Sequence, residues 1–182
     1  TGIARNIVMT ENKGKSRYYA ASFNFTKVRG DDKYALRLIY TLSRLENNTE
    51  DINFRAMDSN DFEAEWGPSI NDRTHVISGF VSYYPIKGMV INFATLLQSG
   101  QPINRIPDAT IYGTTDLNGD GRSFGDAYVG NSDRSPGEPR NSDRLPWSVN
   151  FDFGISYTVP MVSHGSMEFR MDIFNLFDVT NL

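Results

Sequence analysis

The stretch that decides the fold reads Trp147-Ser-Val-Asn-Phe-Asp-Phe-Gly-Ile-Ser-Tyr-Thr-Val159. Every second residue from Trp147 to Val159 is apolar, and none of the residues between them is large and apolar. Because successive side chains of a strand point to opposite faces, this pattern predicts a β-strand with one apolar face and one polar face.

The same alternation recurs along the chain. It is clear over residues 19–26, 34–43 and 166–173, two further strands are predicted over 73–84 and 89–98, and a weaker one is predicted near Ile3–Thr10. No segment has convincing helical periodicity. The chain is therefore predicted to be all-β, with about seven antiparallel strands.

The connections between these strands alternate in length. Three are short and rich in turn-forming residues (29–33, 85–88 and 160–165), whereas a modest loop (11–16) and two long ones (46–71 and 99–145) alternate with them. Soluble domains rarely contain structureless loops beyond about 12–15 residues. Outer-membrane barrels combine tight inner turns with long outer loops. The pattern predicts a transmembrane barrel segment with long extracellular loops; a soluble β-sandwich has the same alternation and is the alternative.

In such a barrel, aromatic residues near the strand ends form girdles at the lipid–water boundaries, and alternate polar residues line the lumen. The girdle candidates are Tyr18, Tyr19, Tyr34, Tyr83, Tyr84, Trp147 and Tyr157. The lumen-facing candidates are Arg37, Ser43, Asn92, Asn150, Asp152, Glu168, Arg170 and Asp172. Arg170 is expected to pair across strands with Asp152 or Asp172, or to meet a plug.

Composition excludes several classes of function. The 182-residue chain has a net charge of −4, no cysteine and two histidines. Disulfides and thiolate metal sites are thus excluded, and the absence of a long basic cluster argues against a nucleic-acid partner. The phosphate-loop, nucleophile-elbow and zinc-protease patterns are all missing, so we expect no enzyme.

Four short motifs resemble, in order, the C-terminal region of TonB-dependent outer-membrane receptors. They are Gln98-Ser-Gly-Gln-Pro102, Asp116-Leu-Asn-Gly-Asp-Gly121, Arg140-Asn-Ser-Asp-Arg-Leu-Pro146 and Phe174-Asn-Leu-Phe-Asp178. The stretch Asp72-Arg-Thr-His75 lies at a fitting distance before them. The resemblance covers roughly residues 17–182 and is nearest to the Oar-like and carbohydrate-uptake branch.

The resemblance implies a barrel of roughly 22 strands. Residues 1–182 would be its C-terminal portion, without the plug domain, the TonB box and the closing strand. The whole protein would take up a scarce nutrient by way of TonB and its plug; siderophores, glycans, peptides and cobalamin remain open as ligands. A scaffold in an envelope complex with surface lipoproteins is the alternative.

Two loop features suggest binding. Asp116, Asn118, Asp120 and Asp126 resemble the first half of a calcium loop, and the alternative is a solvated turn in a surface loop. The loop 46–72 carries eight carboxylates and one arginine, and is interpreted as a charged, solvated loop. Its aromatic residues, Phe54, Phe62 and Trp66, are expected to pack the loop together or to stack on a ligand.

Overall fold

The computed structural model describes residues 10–50, 54, 56–119, 133–162 and 165–181. The weak strand predicted near Ile3–Thr10 therefore lies outside the described residues, apart from Thr10. No helix within the described ranges is long and apolar enough to cross a bilayer.

Six long strands account for most of the described chain. They are β1 (Ser16–Lys27), β2 (Tyr34–Asn47), β4 (His75–Tyr83), β5 (Met89–Gln98), β8 (Ser148–Pro160) and β9 (Ser166–Ile173). Three two-residue strands accompany them: β3 (Gly67–Pro68), β6 (Pro102–Ile103) and β7 (Asp143–Arg144). The described helices are a 3₁₀ turn, Phe62–Glu65, and one helical turn, α1 (Ala109–Tyr112).

The long strands form one antiparallel sheet in the order β1-β2-β4-β5-β8-β9, and β3 adds to β2 as its seventh strand. The sheet is open, with β1 and β9 at its edges. The all-β prediction is confirmed, and the bounds of β5 and β9 coincide with the predicted ones. The only other sheet among the described residues is the β6–β7 pair. No second layer covers the apolar face there, so the sandwich alternative is not supported.

The short turns hold neighbouring strands together through local contacts. Tyr84 donates its backbone N–H to Lys33 O at 2.7 Å, and the guanidinium of Arg29 lies 4.1 Å from the centre of the Tyr84 ring. Lys27 forms a hydrogen-bonded ion pair with Asp32, and the hydrogen bond from Lys27 lowers the pKa of the Asp32 carboxyl.

The segment after β9 folds back along β8. Because β9 ends opposite Phe153, the outer part of the β8 edge needs other partners. Leu176 donates its N–H to Phe151 O at 2.7 Å. The Asn181 amide accepts from Val149 N at 2.7 Å and donates to Val149 O at 3.1 Å, as a paired strand would. The segment at 174–181 thus completes the pairing of β8.

Candidate functional site

The register of the sheet places most of the large apolar residues of the six long strands on one face, whereas Ile39, Phe80 and Leu96 lie on the other. One row across this face consists of Phe23, Tyr40, Ile77, Leu97 and Val149, each beside the next. Phe23 is 65% exposed, and many of its apolar neighbours are exposed as well. So large an exposed apolar surface requires an apolar environment.

Aromatic and charged residues limit this apolar face at both ends. Trp147, directly before β8, lies ten residues from Tyr157 within it, and on β2 the same spacing separates Tyr34 from Arg44. At about 3.3 Å per residue and a tilt of about 40°, both intervals rise roughly 25 Å, the height of the apolar band of outer-membrane barrels. At the end with the long loops, the His75 ring stacks on Trp147 at 5.8 Å.

The opposite face carries the polar side chains predicted to line a lumen. Arg37, Ser43, Asn92, Asn150, Asp152, Glu168, Arg170 and Asp172 all lie on it by register. Arg170 pairs with Asp172 at 2.7 Å along the same strand rather than across strands. Asp152 instead accepts from Asn150 at 3.0 Å and from the backbone N–H of Asn175 at 2.9 Å. That this face encloses a lumen stays a prediction.

At one end of the sheet, the two long loops meet around a buried arginine. Arg140 has no solvent exposure. Its guanidinium donates to Glu50 Oε1 at 2.6 Å, to Glu65 O at 2.9 Å and to Asn47 O at 2.6 Å. The Phe54 ring lies 5.4 Å from the same group. A buried charge is tolerated only with such complete pairing, so Arg140 holds the loops in one arrangement.

A second buried arginine binds the carboxylate of Glu65. Both terminal nitrogens of Arg134 donate to the two carboxylate oxygens at 2.9 Å, a bidentate geometry. Glu65 also accepts the backbone N–H of Met57 at 2.8 Å. Bidentate pairs of this kind restrict orientation as well as distance, and this one joins positions 69 residues apart in sequence.

Asp72 supplies a third link, between the loops and the sheet. Its carboxylate accepts from Arg144 at 2.5 Å, from Leu45 N at 2.7 Å and from Thr74 Oγ1 at 3.1 Å. Asp72 is 2% exposed. These contacts connect the end of β2, the start of β4 and the short strand β7.

The Ser-Gly motif packs against the same cluster. Gly100 O accepts from Arg144 at 3.1 Å, and a Cβ built at Gly100 would lie 1.6 Å from Leu145 O. Only glycine permits this approach of the two chain segments. Ser99 Oγ accepts the backbone N–H of His75 at 3.1 Å. Three motifs that are distant in sequence (72–75, 98–102 and 140–146) thus converge at one end of the sheet. We call the charged residues Glu50, Glu65, Asp72, Arg134, Arg140 and Arg144, with Asn47, the loop cluster; the side chains are buried except that of Arg144, which is 36% exposed.

A family model described as an outer membrane beta barrel domain matches residues 3–182. This chain belongs to that family. No curated protein and no solved structure gives a significant match. The family and the antiparallel sheet together place this barrel domain in the outer membrane of a Gram-negative bacterium. The exposed apolar face is therefore the lipid-facing surface of the barrel domain.

The loop cluster contradicts the interpretation of the loop 46–72 of the barrel domain as a solvated loop. Glu50, Glu65 and Asp72 are not solvated; each is buried and pairs with an arginine of the other long loop. The prediction was wrong for these three carboxylates because their partners lie 69 to 90 residues away in sequence. The Arg140–Pro146 motif marked the position of two of these arginines but did not indicate their partners.

The loop aromatics lie beside this cluster. Phe54 and Phe62 make an edge-to-face contact at 6.0 Å, and Trp66 lies 5.4 Å below the guanidinium of Arg17. All three rings are half-buried. These contacts are those expected for packing within the loop; stacking on a ligand stays a prediction.

The proposed calcium residues lie partly within the described chain. Asp116 Oδ1 accepts the Gly119 N–H at 2.8 Å, which forms a tight turn, and the Asn118 N–H donates to Asp133 Oδ1 at 3.0 Å. Asp120 and Asp126 lie outside the described residues. In the described ranges, no group of three or more His, Cys, Asp or Glu is arranged to hold a metal. Calcium binding stays a prediction.

A polar recess opens next to the loop cluster. Its volume is about 440 Å³. Lys15, Asn47, Thr49, Glu50, Ser69 and Asn71 are among the lining residues. Hydroxyl, amide and charged groups of this kind suit a hydrophilic ligand, since they can form several directed hydrogen bonds.

Proposed function

We propose that this chain forms part of the wall and outer loops of a TonB-dependent receptor that imports a scarce nutrient. The observation that carries the proposal is the asymmetry of the sheet. One face is an apolar band roughly 25 Å tall, the other carries most of the polar side chains of the strands, and the described parts of the two long loops stand at one end only. A wall of this kind suits a protein that encloses a polar passage and binds a nutrient on its extracellular side.

The width of that passage requires more strands than this sheet contains. The long-strand sheet is open, and strand edges left unpaired in hydrocarbon cost several kcal/mol per polar group. We infer that β1 and β9 pair with further strands of a larger barrel, roughly 22 in number by resemblance. A plug and a TonB-binding segment would belong to the same whole protein.

The outer loops are the proposed place of ligand contact. The loop cluster holds their inner ends in place and leaves the polar recess accessible. A hydrophilic nutrient too scarce or too large for passive diffusion would fit this chemistry. The role proposed for the chain is binding and passage, without catalysis.

Uptake assays with the full-length protein test the proposal. Cells with and without the gene are supplied with labelled cyanocobalamin, a ferric siderophore, maltohexaose or a short peptide. We expect the uptake of one probe to require the protein and to stop when a protonophore removes the driving force for TonB. Uptake that depends on the protein but persists with the protonophore would contradict the TonB step.

A scaffold role in an envelope complex is the second candidate. The ordered loop cluster favours it, because a rigid outer surface also suits stable attachment of a surface lipoprotein. In that case no probe would require the protein, and deletion would instead release a defined lipoprotein from the outer-membrane fraction. The same deletion strain thus distinguishes the two candidates.

A further inference from the structure

Two arginines stand out on the lipid-facing surface, at the end with the long loops. Arg17 and Arg44 belong to neighbouring strands and share the apolar face. Arg44 lies beside Tyr19 of β1, and Arg17 precedes Tyr19 by two residues on the same face. Both are exposed, and the Arg44 side chain keeps 71% of its accessible surface. Diagonal neighbours in a sheet lie about 7–8 Å apart, so two positive charges face the lipid close together.

Their height relative to the membrane follows from the apolar band. On β1, the outward-facing residues from Tyr19 to Phe25 are uncharged, and Lys27 and Arg17 limit them at the two ends. Ten residues separate these two cations, which corresponds to a rise of roughly 25 Å at about 40° of tilt. Arg17 and Arg44 therefore lie where hydrocarbon gives way to the headgroups of the outer leaflet.

The two ends of the band differ in how the charge is compensated. Lys27 forms an ion pair with Asp32 inside its own turn. Among the described residues, no carboxylate forms an ion pair with Arg17, whose guanidinium lies over the Trp66 ring. Arg44 pairs with Glu46 at 2.5 Å through one terminal nitrogen. Since a guanidinium carries five N–H donors, most donors of this pair remain available to an anion.

We propose that Arg17 and Arg44 form a binding site for the phosphate groups of the outer-leaflet glycolipid. Phosphate is the anion present at this height in the outer membrane, and arginine binds it in a planar, bidentate geometry. Trp66 orients Arg17, and Glu46 orients Arg44. The inference depends on the outer-membrane location of the chain and is independent of the proposed nutrient uptake.

Native mass spectrometry of the detergent-solubilised full-length protein tests the site. The probes are bisphosphorylated lipid A, enzymatically dephosphorylated lipid A and phosphatidylglycerol. We expect the wild-type protein to retain bisphosphorylated lipid A, and Arg17→Gln/Arg44→Gln to retain it about tenfold less well, the loss expected for two exposed charge-assisted contacts. The control variant Arg105→Gln, which removes an exposed arginine of the loop 99–145, should retain bisphosphorylated lipid A like the wild type.

Other outcomes would overturn the proposal. Equal retention of phosphorylated and dephosphorylated lipid A by the wild-type protein would exclude phosphate recognition, whether or not the variants fold. Equal retention of phosphatidylglycerol would exclude selectivity for the glycolipid. Undiminished binding by the double variant, with its barrel still resistant to unfolding in cold detergent, would exclude these two arginines.

Discussion

The sheet and the loop cluster place their polar and apolar groups in opposite ways. The sheet exposes most of its large apolar side chains, such as Phe23 and Phe169, on one face. The loop cluster buries charged groups instead, with Arg140 and Glu65 at 0% exposure. The difference follows from the surroundings. Lipid stabilises the exposed apolar face. The loops lie in water, and a charge removed from that water needs ion-pair and hydrogen-bond partners to offset its lost hydration.

The two regions also differ in the sequence separation of the residues that they join. Neighbouring long strands are joined by regular backbone ladders, and most of them are also consecutive in the chain. The loop cluster joins residues 69 to 93 positions apart through individual side-chain bonds. Removing one side chain should therefore affect the loop cluster strongly and the sheet weakly, unless the change introduces charge into lipid.

The largest effect is expected from Arg140→Ala. It leaves the buried Glu50 carboxylate and two buried carbonyls without their partner, which typically costs about 3–5 kcal/mol. Hydrogen exchange of peptides from 46–72 should speed up accordingly, while exchange in β5 and β8 should stay unchanged.

Arg105→Ala is the matched control for this comparison. Its ion pair with Asp143 is exposed, and exposed pairs contribute about 0–1 kcal/mol. If both variants accelerated hydrogen exchange equally, the burial of the Arg140 contacts would not explain the stability of the loop cluster. If β5 became unprotected with Arg140→Ala, sheet and loops would unfold as one unit.

The next effect concerns the two faces of β5. Phe93→Arg places a charge on the lipid-facing side and should lower the free energy of unfolding in vesicles by about 2–4 kcal/mol. Ala94→Arg, one residue further on, faces the other way and lies beside Asp152, so it should be tolerated. Equal losses in urea unfolding would contradict the assignment of the faces.

A smaller effect is expected at the end of β8. Asn181→Ala removes two hydrogen bonds to the Val149 backbone, and each contributes about 0.5–1.5 kcal/mol. The exchange of the Val149 amide should accelerate, whereas the Phe153 amide, which β9 covers, serves as the internal reference. Unchanged exchange at Val149 would mean that another group pairs with this edge.

The smallest effect concerns an exposed loop carboxyl. The Arg144 backbone N–H, and then Arg105, hold the pKa of Asp143 below its usual value. A lowered pKa stabilises the fold at pH values above the usual aspartate range, and this contribution disappears as the pH falls through the depressed pKa. In Arg105→Gln, carboxyl NMR titration should show a pKa nearer to the usual value, and an unchanged pKa would exclude the Arg105 contribution.

Most of the sheet could be predicted from the sequence. Strand β9 begins and ends where the alternation of apolar residues does, because it lies between a lipid-facing side and a polar side, and β5 has the bounds predicted for the strand over 89–98. The predicted strand over 34–43 is extended to Asn47, because Arg44 and Glu46 continue the pairing beyond the apolar band. Apolarity alone gave no signal for that extension.

The loop cluster could not be predicted in the same way. Local composition around Glu65 indicates a charged, solvated segment, yet Arg134 encloses this carboxylate from the other loop. Long-range ion pairs have no periodicity, so no local pattern reports them. The resemblance of the motifs at 72–75, 98–102 and 140–146 indicated a family but not the contact that unites them.

The sequence by itself determined the strands, their two faces and the length of the apolar band, because a period of two and a bilayer of given thickness act on local residues. Tertiary structure alone decided which carboxylates are buried, which arginines pair with them and how the segment at 174–181 covers the edge of β8. Those contacts depend on where distant segments meet in space, and the energy of a buried charge depends on the partner found there.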